Sequence, residues 1–453
     1  MPPLPSSSSP KQSIQVAAPQ NPQRRQLIQL GLGALALSAL PAGQVLARPT
    51  SQARIVILGA GAAGTAMANR LYNALEGVKI TIAGARQQHL YQPGYTLVAS
   101  GLWPQDQVAT ATADWIPAGV HWIPADVAEF MPDQRQVKLQ DGQTLAYDVL
   151  VIATGCQLNY QQIEGMSTDL IGKHGIGSVY ASPQAATATN QQIENLLQKG
   201  QGRAIFTLSN TPIKCAGAPL KMTFTTLSRL EDSGQREQFQ VDFFTPYANK
   251  VFSVPVYNQF VLERWQEQQV GFHDQRVLTA IDAGSQMATF THADGSTQQE
   301  KYDFIHVVPP MSAPDVVRSS ELAWQQGPMA HQWLEIDQYS LQHRRYPEIF
   351  GVGDVIGTPF GKTAASVKKQ APVAEANILA FLAGHPLTAK YDGYTSCPMI
   401  TSIGKAILAE FGYEGKLMPS FSFISPTEES WVVWVMKEKM LQPAYYAMLN
   451  GQV

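Results

Sequence analysis

Three stretches of the 453-residue chain carry residue types spaced for chemistry. The first is Gly59-Ala60-Gly61-Ala62-Ala63-Gly64, which follows the β-branched run Arg54 to Leu58 and precedes an Ala-, Met- and Leu-containing stretch from Thr65 to Leu75. Strand, GxGxxG and helix in that order make a cradle for a dinucleotide. Gly59 turns the chain, Gly61 lets the backbone approach a pyrophosphate, and Gly64 lets helix and strand pack closely. The helix N-terminus adds unpaired N–H groups and a partial positive charge. The second stretch is Asn210-Thr211-Pro212-Ile213-Lys214-Cys215-Ala216-Gly217-Ala218-Pro219, after a predicted strand at 203–208. A cysteine at a strand-to-helix turn can hold a thiolate against the helix dipole and the adjacent Lys214; otherwise it is a small buried hydrophobe. The third is Lys362-Thr363, close behind Gly353-Asp354, where a lysine opening a helix faces either a bound anion or solvent.

The elements that must position these residues can be read around them. The strand Val78 to Ile82 follows the first helix, and its end should carry an acid for a ribose hydroxyl, but Ala83-Gly84 occupies that place. Tyr147 to Ile152 is an apolar strand entering the turn Ala153-Thr154-Gly155, and Ile349 to Val352 runs into Gly353-Asp354. Both resemble signatures of two-dinucleotide-domain flavoproteins. There the Ala-Thr-Gly turn marks the crossover into the second domain, and the Asp of Gly-Asp binds the ribityl chain of FAD. The fold implied is α/β: two Rossmann-like domains, the FAD domain split around the second, plus a C-terminal membrane-docking segment. The FAD domain would occupy 52–155 and 331–390, the inserted domain 156–330 and the C-terminal region 391–453. After the strand at 203–208, itself preceded by a helix predicted over 191–199, no second GxGxxG appears, which argues against a nicotinamide donor.

Composition narrows the class. Charged residues make up 15% of the chain, against about 25% in an average soluble protein, while apolar residues reach 45%, too many for a disordered chain. Thirty-two Lys+Arg against 35 Asp+Glu leave no basic excess for nucleic acid. Three cysteines, with no CxxC, make neither a disulfide scaffold nor a metal site. Residues 1–22 are rich in Pro, Ser and Gln; Arg24-Arg25, an apolar run from Leu30 to Leu40 and Val45-Leu46-Ala47 then read as a twin-arginine export signal over 1–47. This predicts a periplasmic or lumenal protein. Past residue 50 no apolar run is long enough to span a bilayer. Near the C-terminus, Ser425-Pro426-Thr427 reads as a helix start. Trp431 to Met436, Lys437, Lys439, Tyr445 and Tyr446 then suit a helix pair lying in a lipid interface.

The segment Asn210 to Lys221, NTPIKCAGAPLK, resembles the active-site turn of the sulfide:quinone oxidoreductases, and Tyr391 to Pro398, YDGYTSCP, resembles the other redox-cysteine segment of their type II, mitochondrial-like branch. The stretches 172–182, 306–316, 341–347 and 361–365 are similar too, so the resemblance spans nearly all of 54–450. It implies that Cys215 and Cys397, 182 positions apart, face the flavin as a disulfide or sulfur-bridged pair. Hydrosulfide opens the bridge, leaving a persulfide on Cys397 and a thiolate on Cys215 that passes two electrons to FAD and on to a membrane quinone. An acceptor, either sulfide or polysulfide or sulfite, then takes the sulfur. The resemblance also places Gln92 of Tyr91-Gln92-Pro93 by the flavin ring, and Lys362 and Thr363 at its pyrimidine edge. With Gly59, Gly61, Gly64, Thr154, Gly155, Gly353 and Asp354 they form the expected FAD set. FAD is non-covalent, because the flavocytochrome c-type sulfide dehydrogenases attach it through a cysteine near 91–95, where this chain has none. Other readings of the same fold are that dehydrogenase, an NADH:quinone reductase, and a sulfane-sulfur carrier without turnover; a homo-oligomer is left open. Cys156, His89, His174 and His306 are expected to be structural.

Overall fold

The computed structural model describes residues 48–421 and 424–452, so the expected export signal at 1–47 lies outside the described residues. Two five-stranded parallel sheets organise the chain. The first runs Ile349–Gly351, Val149–Ile152, Arg54–Leu58, Lys79–Ala83, His121–Ile123. Its central strands are buried from Ile55 to Leu58 and from Val149 to Ile152. That is why they read as unbroken apolar runs: helices and loops cover both faces of a parallel sheet. Each such Val, Leu or Ile contributes about 1.5–3 kcal/mol when fully buried. The last strand arrives some two hundred residues after its neighbour, pairing Phe350 with Val151, which splits this domain around the inserted one.

The second sheet runs Ile176–Gly177, Phe304–His306, Gly202–Thr207, Phe239–Phe244, Gly271–His273. The helix expected at 191–199 is longer, Pro183–Gln198. It starts at Pro183 because Ser182 caps it, accepting from the Ala185 amide, and the Gln-rich stretch is only its second half, which buries Ile193 and Leu196. The helix Ala218–Asp232 follows the cysteine turn and packs against the strand Thr395–Ser402, which pairs antiparallel with Lys405–Phe411.

The C-terminal expectation needs correction in two places. The helix does not start at Ser425-Pro426-Thr427 but at Trp431, capped by the Ser430 hydroxyl, which accepts from the Val432 amide at 3.1 Å. It continues as a π-helical turn, Met436–Met440, and a helix Leu441–Leu449. Much of this segment turns inward: Val433, Trp434, Tyr445, Met448 and Leu449 are buried, and so is Lys437, read above as an interface anchor. Trp431 and Met440 remain exposed. No helix among the described residues is long and apolar enough to cross a membrane.

Candidate active site

The glycines of the first turn fit a dinucleotide. Gly59 has φ +103, a region that L side chains avoid, and a side chain there would strike the Ala153 carbonyl. Gly64 touches the Gly59 backbone, so helix and strand meet without a side chain between them. Around Gly61 and Gly155 the space is open to 4 Å, room for a ligand against bare backbone. The helix Ala62–Ala74 has no side-chain cap and no acid in its first turn, leaving N–H groups for an anion. Thr154 Oγ1 is buried with no protein partner, a hydroxyl that a flavin could satisfy. Burial pushes the Asp354 carboxyl up, opposed by the charges of Lys214 and Lys362. At Gly84 a side chain would stand 2.6 Å from the Ala60 amide nitrogen, so no carboxylate fits there and the ribose partner lies elsewhere.

The two cysteines expected to cooperate meet. Cys215 has φ +51 and donates its N–H to the Lys362 carbonyl at 3.0 Å, while its own carbonyl accepts the Ala218 amide that opens the next helix. Cys397 sits on the strand Thr395–Ser402, opposite Ala409. That strand is tied at Thr395, whose hydroxyl lies 2.9 Å from that of Thr363. Gly217 is the contact point, since a Cβ there would collide with Cys397 Sγ. The Cys397 thiol hydrogen-bonds to the Cys215 sulfur and Lys221 attracts it, so Cys215 is held well below the ordinary thiol value despite its burial. Cys397 is pushed well above it by the same hydrogen bond. Within the pair, a thiolate is therefore favoured on Cys215 over Cys397.

The lysine that does this is not the one expected. Lys221, buried on the helix Ala218–Asp232, places Nζ 3.4 Å from Cys215 Sγ. Burial acts to lower its pKa, but Cys215 and Cys397 outweigh burial and hold it above the usual lysine value. Lys214 instead projects its charge toward Cys156 and Asp354. The sign of Lys221 in the sequence is a lone lysine in a helix whose other residues from Ala218 to Ser228 are apolar or hydroxyl-bearing, a charge such a face buries only for a partner. Lys437 is the second missed group. Its Nζ donates to the Pro93 carbonyl at 2.6 Å, and burial with Lys221 nearby pulls it down to about 7. Tyr180, also buried, donates its hydroxyl to the Cys215 carbonyl at 3.4 Å.

Lys362 and Thr363 lie where expected, at the start of the helix Ala364–Leu382, with Thr363 as its cap. Lys362 is buried, Nζ donating to the Asp354 carbonyl at 2.7 Å and the Ile356 carbonyl at 2.8 Å, 3.4 Å above the Trp333 ring. Burial lowers it to about 8, against the pull of Asp354. Gln92 lies in the turn Gln92–Gly94 beside buried Tyr91. Burial pushes the Cys156 thiol up to about 11, which keeps it neutral. His89 Nε2 lies 2.7 Å from the Tyr445 hydroxyl, and His306 is fully buried with both ring nitrogens unpartnered. A cavity of about 270 Å³ opens onto the pair, lined among others by Cys215, Cys397, Lys250, Tyr247 and Lys362.

The chain is similar to proteins already known. Residues 53–197 match the family model described as pyridine nucleotide-disulphide oxidoreductase. The chain is 34% identical over 397 residues to the mitochondrial sulfide:quinone oxidoreductase of Mus musculus, covering 87% of this chain and 86% of that protein. It is 35% identical over 401 residues to that of Dictyostelium discoideum, covering 88% and 86%. The solved sulfide:quinone oxidoreductase of Aquifex aeolicus shares the fold at a TM-score of 0.72 and 19% identity, over 88% of this chain and 92% of that one.

Proposed function

The chain belongs to the sulfide:quinone oxidoreductases, FAD flavoproteins, on their mitochondrial-like branch, and from that premise we propose that Cys215 and Cys397 carry its sulfide oxidation. Hydrosulfide adds its sulfur to Cys397 of the closed bridge. The Cys397–S–SH bond forms, the bond to Cys215 breaks, and Cys215 leaves as a thiolate. FAD, when bound, would supply the acceptor for the electron pair released as the bridge re-forms, and the link to a membrane quinone. An anionic acceptor, sulfide or polysulfide or sulfite, removes the sulfane sulfur through the cavity beside Lys250, and the bridge closes. The residues that would hold FAD are Gly59, Gly61, Gly64, Thr154, Gly155, Gly353 and Asp354, with Gln92, Lys362 and Thr363 toward its ring.

The observation that carries this reading is the meeting of two cysteines 182 positions apart beside a buried ammonium. An anaerobic absorbance titration tests it. Sulfide should bleach the flavin band and a soluble quinone should restore it, whereas bleaching by NADH alone would make the protein a nicotinamide-dependent reductase. The export signal, with Arg24-Arg25 at its head, would carry the folded protein to a periplasmic or lumenal membrane face. Exposed Trp431 and Met440 would dock it there from one side. Replacing Arg24 and Arg25 by Lys should retain the protein in the cytoplasmic fraction; unchanged export would remove the signal reading.

A further inference from the structure

Lys362 and Thr363 join three segments that lie far apart in the sequence. The buried Lys362 ammonium reaches the turn that follows the strand Ile349–Gly351, donating to the Asp354 carbonyl at 2.7 Å and the Ile356 carbonyl at 2.8 Å, and it lies 3.4 Å above the Trp333 ring. The Lys362 main chain holds the cysteine turn, its carbonyl accepting the Cys215 amide at 3.0 Å. Thr363 reaches the strand that carries Cys397, its hydroxyl 2.9 Å from that of Thr395. Gln370, fully buried on the helix Ala364–Leu382, closes the frame. It accepts from the Gly353 amide at 2.9 Å and donates to the Gly361 carbonyl at 3.3 Å.

These contacts decide what the lysine can do. Two carbonyls and a ring face occupy an ammonium that has three N–H groups. Its influence on a flavin is therefore exerted through the turn it holds. Cys215 stands at φ +51, a region that a residue other than glycine keeps only where its surroundings hold it there. The Lys362 carbonyl is one of those holds. We propose that Lys362-Thr363 is a clamp that seats the Gly353-Asp354 turn and both sulfurs as one unit, with Lys362 a positioning residue for FAD and for the Cys215–Cys397 bridge alike. FAD affinity and bridge closure then depend on the same side chain.

The inference takes the purpose of the bridge from the sulfide-oxidation reading, but its test needs no sulfide. FAD affinity is read from the flavin fluorescence released on dilution of the holoenzyme. Bridge closure is read in dithiothreitol buffers of set ratio, with FAD saturating and its absorbance showing it oxidised, by alkylation of free thiols and mass spectrometry. The exchange balances: the pair gives up two hydrogens as its S–S bond forms, and oxidised dithiothreitol takes them as its own S–S bond breaks. In Lys362→Met both should weaken, FAD affinity by about 10- to 100-fold, the range carried by hydrogen bonds from a charged donor, and closure by about tenfold. Thr395→Val leaves Thr363 its cap on the Ser366 amide. It should weaken closure by about 2- to 10-fold, as for one neutral hydrogen bond, with FAD affinity at the parent value. A general loosening of the fold would not split the two readouts in this way. An unchanged value of either quantity in K362M, or parent closure in T395V, would overturn the clamp, the second variant deciding alone if the first does not fold. A parent protein that sulfide failed to bleach would overturn the function and leave the clamp standing.

Discussion

Lys221 Nζ, itself buried, stands 3.4 Å from Cys215 Sγ, and the half-buried Cys215 lines the cavity that opens onto the pair. The two are six positions apart, and the left-handed φ of Cys215 makes the approach possible by turning the chain before the helix begins. A thiolate flanked by an ammonium is both a better leaving group and a longer-lived one. Replacing Lys221 by Met should raise the pKa of Cys215 and slow sulfide-dependent bleaching by about 10- to 100-fold, since a hydrogen bond to a charged group contributes about 1.5–3 kcal/mol. Stopped-flow absorbance with FAD content measured in parallel checks this. A variant that bleached at the parent rate would remove Lys221 from the chemistry.

Cys397→Ser leaves the volume of the site nearly unchanged and removes the sulfur that would carry the persulfide. The expected outcome is protein with full FAD content and no bleaching by sulfide, even though dithionite still reduces it. Normal turnover in this variant would rule out the bridge mechanism.

Gly217→Ala offers a test with both sulfurs retained. Gly217 has φ −80, which alanine adopts without strain, so the only new feature is a methyl group directed into Cys397 Sγ. The pair should be driven apart. Sulfide bleaching should fall by well over tenfold and a reduced pair should fail to re-form its disulfide on mild oxidation, both read against unchanged FAD content. Restored bridge formation in G217A would mean that the strand Thr395–Ser402 can move aside.

Much of this was legible in the sequence, and the misses share a cause. Gly59, Gly64 and the strands at 54–58 and 149–152 were readable because local backbone demands and parallel-sheet burial act over a few residues. Cys397 could be assigned to the site only through resemblance, since the contact with Cys215 depends on the helix Ala218–Asp232 packing on a strand far down the chain. Lys214 was favoured because it is adjacent, yet the turn at Cys215 sends adjacent side chains apart and brings Lys221 back. Lys437 looked like an interface lysine because its neighbours are aromatic and aliphatic; the π-helical turn, invisible in residue periodicity, accompanies its inward placement.

Buried histidines set an acid limit on stability. Desolvation lowers His306 to about 3 and His89 and His343 to about 4, from 6.5. Each therefore stays neutral in the folded state while the unfolded chain takes up a proton. Stability from each is complete above about pH 6.5 and is lost as pH falls toward 4, at about 1.4 kcal/mol per pH unit per histidine. Replacing His306 by Leu should reduce the slope of the denaturation midpoint against pH in that window. It should also cost little at pH 7, because neither ring nitrogen has a partner to lose. An unchanged slope in H306L would show that His306 titrates alike in both states.

Membrane docking is best tested on the surface and not by removing the C-terminus. Deleting 427–453 would take away Lys437 and the buried Val433, Trp434 and Leu449, so loss of activity would say nothing about lipid. Trp431 and Met440 are 39% and 58% exposed and touch none of the site described above. Aromatic and thioether side chains left in water, at the start of the helix and at the end of the π-helical turn, are the groups that an interface would take up. Replacing both by Ser should lower partitioning into quinone-containing liposomes several-fold and slow quinone-dependent reoxidation there, while sulfide bleaching of the soluble holoenzyme stays at the parent rate. If flotation with liposomes were the same in the double variant, the docking face would have to be sought on another part of the molecule, and the C-terminal segment would be left with its packing role, burying Val433, Trp434 and Leu449.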